Sequence, residues 1–213
     1  MSTKSCVLLI LAAGLSRRYG SDDKLGATVG KQVLAHHILE TVSTLSWRDR
    51  RVVSRADGAW HKAYDQAGFH RVINADPERG LGSSLALGIT GLAPQERVLV
   101  CLADMPFIAA AQLISLCQAS ESEPDRIFAT SSPTYRGPPA IFPVSSLLEL
   151  PLTGDAGARP LLRSARFIPC TERETSDIDD AASLNKAIQS CRNLDSGARA
   201  SDHSPQTGPK HRS

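Results

Sequence analysis

The apolar positions of this chain fall into two kinds of run. Val7 to Leu11 and Val98 to Leu102 are continuous, with no polar alternation. Short unbroken runs of this kind suit strands of a parallel sheet, buried on both faces. Ile127 to Thr130 predicts another strand, and Val52-Val53, Arg71 to Asn74, Ala140 to Phe142 and Phe167-Ile168 predict shorter ones. Between these runs the spacing becomes helical. Lys31 to Leu45 carries Val33, Leu34, Ile38 and Val42, and Trp60 to Ala67 stops at Gly68. Leu85 to Leu92, Ala109 to Ala119 and Ser145 to Leu150 predict further helices. Ser83 or Ser84 is expected to cap the helix at Leu85. Tyr135 to Pro139 predicts a rigid loop. Gly154 to Gly157 leads toward a helix with Leu161 and Leu162, and the acidic turn Ser176 to Asp180 toward a helix over Ala182 to Ser190. Strands alternating with helices give an α/β class with a mainly parallel sheet.

The pattern stops at Arg192. Residues 192–213 are rich in Ser, Gly, Pro and charge, too polar to offset the cost of ordering, so a disordered tail is expected after a single domain over residues 1–191. Net charge is +2, which gives no reason to expect nucleic acid or an anionic membrane as partner. No apolar run is long enough to span a bilayer, and Val7 to Ala13 with only Lys4 ahead makes a poor signal peptide. A cytoplasmic protein is expected. The five cysteines are odd in number and form no C-x-x-C pair, which fits reduced thiols, with Cys101 a small core residue. His36 and His37 are adjacent on a helical pattern and do not share a face, so zinc is not expected.

The chemistry begins where the first strand ends. Leu11, Ala12, Ala13 and Gly14 are followed by Ser16, Arg17, Arg18, Gly20 and Lys24. Small residues let a ligand approach the backbone, Gly14 and Gly20 permit unusual backbone angles, and successive amides in such a turn can point at one anion. With the cations, this describes a polyphosphate cradle; the plain alternative is a surface turn with solvated arginines. Gly20 is followed by Ser-Asp-Asp rather than Lys-Ser/Thr, which excludes a Walker loop, and Ser16 stands where a dinucleotide fingerprint needs glycine. A second candidate is Asp104, just past the second strong strand and two residues before Pro106. Ligands of open α/β sheets bind beyond such strand ends, although a lone aspartate there also serves as a helix cap. Asn74 precedes the loop Gly80-Leu81-Gly82-Ser83-Ser84, which reads as a capped helix start and equally as an anion or dipole site.

These stretches together resemble the MobA-like nucleotidyltransferases. Leu11 to Lys24 is similar to the signature L-A-A-G-x-S-x-R-x-G-x-x-x-K, and Leu102 to Pro106 matches L-A-D-M-P. Leu152 to Leu162 matches L-x-G-D-x-G-A-R-x-L-L, and Asp177 to Leu184 resembles D-x-D-T-P-E-D-L, departing from it at Asp180-Ala181. A further departure is Gly137-Pro138-Pro139, where many relatives place a polar residue before the last proline. The resemblance runs from Val7 to about Ile188. It implies a Rossmann-like three-layer fold of the nucleotide-diphospho-sugar transferase type.

What the resemblance implies for function is specific. Leu11, Ala12, Ala13, Gly14, Ser16, Arg18 and Lys24 would bind the nucleotide, with Arg18 and Lys24 as the catalytic cations. Asn74, Gly80, Gly82, Ser83 and Ser84 would read the base. Asp104 and Asp179, the latter preferred over Asp177, would hold Mg2+. Tyr135, Gly137, Gly154, Asp155, Gly157 and Arg159 would form the acceptor side, although Asp155 and Arg159 are also spaced as an i,i+4 pair worth only ~0.3–0.5 kcal/mol. Within the family, Ala12-Ala13-Gly14 is most similar to the molybdenum cofactor cytidylyltransferases, since the guanylyltransferase branch usually carries a second glycine. The expected substrates are CTP and molybdopterin carrying molybdenum, with an apo-molybdoenzyme or its chaperone as recipient. The rivals are the same fold acting on GTP, a sugar phosphate or methylerythritol phosphate, and a binding module that only carries cofactor.

Overall fold

The computed structural model describes residues 3–15, 23–56, 58–178 and 182–189. The first strand, β1 (Val7–Ala12), is buried along its whole length. Its side chains alternate between two cores. Leu8 and Ile10 pack with the helices on one face, and Val7, Leu9 and Leu11 pack with those on the other. This two-sided burial is why the run is apolar without a break.

A short hairpin follows, β2 (Thr28–Val29) and β3 (Gln32–Val33), turning at Gly30 with a φ of 65°. It leads into α1 (Leu34–Ser43). The expected helix from Lys31 therefore starts three residues late, because Lys31 lies in the hairpin turn and Gln32 and Val33 form its second strand. Next come β4 (Asp49–Ser54), α2 (His61–Gln66) and β5 (His70–Ile73). β4 is longer than its two valines predicted. Arg50 and Arg51 belong to the strand, their guanidiniums donating to the Ala67 carbonyl and to the Gly88 and Thr90 carbonyls.

A 3-10 turn (Pro77–Arg79) precedes α3 (Leu81–Ile89), and β6 (Arg97–Leu102) and α4 (Ala110–Ser122) follow. α3 begins four residues earlier than expected. Gly80, with a φ of 84°, is its N-terminal flank, so Ser83 and Ser84 lie inside the first turn and neither caps it. β7 (Phe128–Ser132), β8 (Tyr135–Pro143), α5 (Val144–Leu148) and β9 (Arg166–Pro169) complete the sheet, and residues 182–189 are helical.

The expected loop Tyr135 to Pro139 is in fact the start of β8. Its ladder with β7 shifts at Ala129/Thr130, where Thr130 faces Gly137 and Ala129 faces Ala140. Pro138 and Pro139, joined by a cis peptide, fall in the shift. A bulge is where a central strand accommodates residues that cannot donate to the ladder. The expected helix at Leu161-Leu162 is a 3-10 segment (Arg159–Ser164).

The strands form one seven-stranded sheet in the order β5-β4-β1-β6-β8-β7-β9. β5-β4, β4-β1, β1-β6 and β7-β9 pair in parallel, whereas β8 runs antiparallel to β6 and β7. With helices on both faces, this is the Rossmann-like arrangement. After β1 the chain builds outward through β4 and β5, then returns to the other side of β1 with β6. The direction of winding thus reverses between β1 and β6, where such sheets open a crevice beyond the strand ends.

Candidate active site

A cavity of about 400 Å³ lies at that crevice. One wall is the end of β1: Leu11, Ala12, Ala13, Gly14 and Leu15. A second is the end of β6, Leu102 to Asp104. Lys24 and Leu25 close it from the segment after β1, and Pro77, Glu78, Gly80, Leu81 and Ser84 from the approach to α3. The Ala103 amide donates to the Leu11 carbonyl at 3.1 Å, so the two strand ends are held together past their last ladder bonds. A Cβ built on Gly14 would meet nothing within 4 Å. The cavity is therefore open directly against this backbone, as a ligand seated on main-chain amides requires.

Asp104 and Lys24, eighty residues apart, meet here. Lys24 Nζ donates to Asp104 Oδ2 at 2.8 Å, and the lysine is 6% exposed. The other carboxylate oxygen, Asp104 Oδ1, is buried and has no hydrogen-bond partner among the described residues. A buried carboxylate oxygen without a partner is costly, and this one belongs to a residue on the cavity wall. A helix-capping role would occupy such an oxygen with a backbone amide. Lys24 itself is set by Asp23, the flank of a 3-10 turn (Lys24–Gly26). Asp23 accepts from Trp60 Nε1 at 2.9 Å and from Arg55 Nη2 at 3.3 Å.

The glycines expected on the base side are also packed tightly against a later stretch of backbone. A Cβ on Gly80 would lie 2.4 Å from the Gly154 carbonyl carbon, and one on Gly82 would lie 2.6 Å from the Thr153 amide nitrogen. The Gly82 amide donates to the Gly154 carbonyl and the Gly154 amide to the Arg79 carbonyl. The loop before α3 is thus laced to residues 152–155. Asp155, expected on the acceptor side, lines this same cavity. Asn74, Gly82 and Ser83 do not line it. Asn74 is buried; its Nδ2 donates to Ser83 Oγ (3.0 Å) and Ser84 Oγ (2.9 Å), and its Oδ1 accepts from the Asp76 amide. With its amide spent in this way, Asn74 shapes the loop from behind.

Tyr135 stands on the β8 side. Its hydroxyl donates to the Pro138 carbonyl at 2.7 Å, over Gly137, where a Cβ would meet the hydroxyl at 2.7 Å. Burial pushes the phenol pKa well above its ordinary value, and the charges of Asp177 and then Asp104 push it further. Both carboxylates are thus near enough to Tyr135 to act on it. The Ile178 amide donates to the Asp104 carbonyl at 3.1 Å, which ties the Asp177 segment to the cavity wall. Among the described residues no ion pair joins Asp155 to Arg159; Arg159 lines a neighbouring cleft. Gly154 and Gly157 have φ of 66° and 50° and shape the turn between the two. Ser16, Arg18 and Asp179 lie outside the described residues. Sequence reasoning missed Glu78 and Leu81 as cavity-lining residues, although both belong to the loop already marked by Gly80.

A family model, the MobA-like NTP transferase domain, matches residues 8–170. The chain belongs to this family. It is therefore a nucleotidyltransferase of the MobA-like type, as the motifs implied. No curated protein matches the sequence significantly. Solved structures do match its fold. Rv0371c from Mycobacterium tuberculosis H37Rv is 20% identical with a TM-score of 0.70, over 89% of this chain and 100% of that one; it has also been solved in complex with manganese. Molybdopterin-guanine dinucleotide biosynthesis protein A from Archaeoglobus fulgidus is 16% identical with a TM-score of 0.61, over 88% and 99%. The 4-diphosphocytidyl-2C-methyl-D-erythritol synthase from Anaerococcus prevotii is 15% identical with a TM-score of 0.65, over 90% and 100%. At these identities the likeness is one of fold. Among the described residues no helix is long and apolar enough to cross a membrane.

Proposed function

We propose that the protein transfers CMP from CTP to the terminal phosphate of molybdopterin bound to molybdenum, releasing pyrophosphate. An acceptor phosphate oxygen attacks the α-phosphorus, and the bond from that phosphorus to the α–β bridging oxygen breaks. The electron pair leaves with pyrophosphate. The acceptor is already anionic at neutral pH, so no general base is needed, and alignment and charge neutralisation carry the catalysis.

The observation behind this reading is the Lys24–Asp104 pair at the crevice, with Asp104 Oδ1 buried and unpartnered. Lys24 neutralises phosphate charge, and Arg18 is its proposed companion from the sequence. Gly14, with Ala12, Ala13 and Leu11 beside it, offers main-chain groups to the nucleotide, and Ser16 a hydroxyl. The donor set suits Mg2+, which takes one or two carboxylates and completes its shell with phosphate oxygens and water. Asp104 would hold it, with Asp179 as the sequence indicates or with Asp177, whose charge reaches Tyr135 together with that of Asp104. When bound, it would offset charge on the triphosphate and the leaving group.

Gly80 and Ser84 flank the base end; Asn74, Gly82 and Ser83 support them. Tyr135, Gly137, Gly154 and Gly157 border the acceptor approach. The choice of CTP rests on Ala12-Ala13-Gly14, and the choice of acceptor on the segment Leu152 to Leu162. That segment is laced to the cavity wall through Gly80 and Gly82, which supports a role next to the nucleotide. The product would pass to an apo-molybdoenzyme or its chaperone. The second reading keeps the transfer and changes GTP for CTP or a sugar phosphate for molybdopterin.

The test is Asp104→Asn. The shape is preserved, and the backbone bond to Ile178 does not depend on the carboxylate. Pyrophosphate release should fall by two or more orders of magnitude, roughly the loss of one strong electrostatic contact in a transition state. Nucleotide affinity should become nearly independent of magnesium. Near-normal turnover would reduce Asp104 to a structural residue and overturn the assignment.

A further inference from the structure

A second cleft, of about 490 Å³, opens beside the turn that carries Asp155. Three arginines line it: Arg136 from β8, and Arg159 and Arg163 from the 3-10 segment. Its apolar side is Leu162 and Phe167, and among the described residues no carboxylate lines it. The alternation of β8 explains the placement. The Tyr135 hydroxyl is held by the Pro138 carbonyl, whereas the next residue, Arg136, holds its guanidinium 5.1 Å from the centre of the Phe167 ring.

Most of the other described arginines are partnered, Arg79 and Arg173 excepted; Arg50 donates to the Ala67 carbonyl and Arg97 to Ser120 and Ser5. Arg48 pairs with Glu96, Arg51 with Asp49, Arg55 with Asp23 and Arg71 with Asp65, while Arg126 and Arg166 both pair with Glu123. Among the described residues, none of Arg136, Arg159 and Arg163 has an ion pair or a side-chain hydrogen bond. Three guanidiniums around one concavity repel each other and leave a focused positive potential. Their planar donor arrays match tetrahedral oxyanions of the phosphate class.

We infer that this cleft is a second anion site, which takes a phosphate-class oxyanion on Arg136, Arg159 and Arg163. It is separate from the Lys24 site, and the turn Asp155 to Arg159 is the wall between them. The same chemistry has two sources: an anionic group at the far end of the acceptor, which rests on the proposed transfer reaction, or a free-standing effector.

The experiment follows the arginine Nε–Hε resonances of the full chain during titration with inorganic phosphate. The three signals should shift together and saturate, with a midpoint of about 1 mM, as for a few charge-assisted contacts. In Arg136→Gln/Arg163→Gln, the midpoint read at Arg159 should rise at least about tenfold, the loss of one or two such contacts. Lys24→Gln should leave it unchanged. Shifts that grow linearly without saturating, a midpoint unaltered in the double variant, or a midpoint displaced by Lys24→Gln would each overturn the site. A turnover assay separates the sources. A raised KM for the acceptor with kcat and the KM for CTP intact assigns the anion to the acceptor, and unchanged kinetics with phosphate binding lost assigns it to an effector. The resonance titration stands even if the proposed substrates are wrong.

Discussion

Lys24 and Asp104 show, at the scale of single residues, how a part-buried charge pair is fixed at the cavity wall. One carboxylate oxygen is satisfied by the ammonium group, and the other is buried without a partner. Fixing that arrangement before substrate arrives removes reorganisation from the reaction step. Tyr135 is prepared in the opposite sense. Burial and the neighbouring carboxylates push its phenol pKa up, and burial, with a smaller contribution from Cys101, does the same for Tyr64. Both folded-state pKa values are raised, so the resulting stability is complete below the ordinary tyrosine pKa of about 10. It is lost as pH rises beyond that toward the folded values. An alkaline titration read by phenolate absorbance should therefore show Tyr64 and Tyr135 ionising only as the chain unfolds. Tyr135→Phe and Tyr64→Phe should each remove one late-titrating phenol; early, reversible ionisation of either would contradict their burial. Asp104 and Gly14 were legible in the sequence because each sits just past an unmistakable strand, and Lys24 because it closes the motif that Gly14 opens. Ala13 was legible as a residue, but its surroundings were not: it lines the cavity while its side chain packs in the core beneath α3.

At the scale of elements, the loop before α3 carries the lesson. Its glycines were recognisable, but their use was not, because the backbone that crowds them comes from residues seventy positions later. Gly80 and Gly82 leave no room for a methyl group against Leu152 to Asp155, and Gly14 leaves a great deal. Gly80→Ala should therefore cost about 1–3 kcal/mol of stability, the usual penalty of overpacking, and weaken nucleotide binding as the laced loops separate. Gly14→Ala should leave thermal stability nearly unchanged and still weaken binding, since its methyl group enters the cavity itself. Calorimetric melting and nucleotide titration of both variants check this. If the two variants melt alike, the lacing is not what holds the wall. The helix and strand boundaries that escaped the sequence have similar causes. A two-residue hairpin at Gly30 consumed the start of α1, and the two prolines of β8 read as a loop because the bulge that shelters them depends on β7.

At the scale of the whole molecule, winding outward from β1 in both directions opens the crevice beyond the ends of β1 and β6. The alternation of strands and helices made that architecture readable, since periodicity reports burial directly. The antiparallel insertion of β8 between β6 and β7 was not readable, because strand order depends on long-range pairing that local pattern does not encode. The composition of residues 192–213, which lie outside the described residues, predicts few contacts with the domain. Removing Leu194 to Ser213 should leave melting temperature and pyrophosphate release nearly unchanged. A drop of several degrees would show that the tail docks.

The most direct test of the central claim is a matrix of nucleotides against acceptors, with the product identified by mass. CTP and GTP are each offered with molybdenum-bearing molybdopterin, methylerythritol phosphate and a sugar 1-phosphate, and kcat/KM is read for every pair. The account predicts a CMP adduct of molybdopterin with stoichiometric pyrophosphate, favoured over the GTP reaction by about one to two orders of magnitude. A product formed mainly from GTP, or only with a sugar phosphate or methylerythritol phosphate, would contradict it.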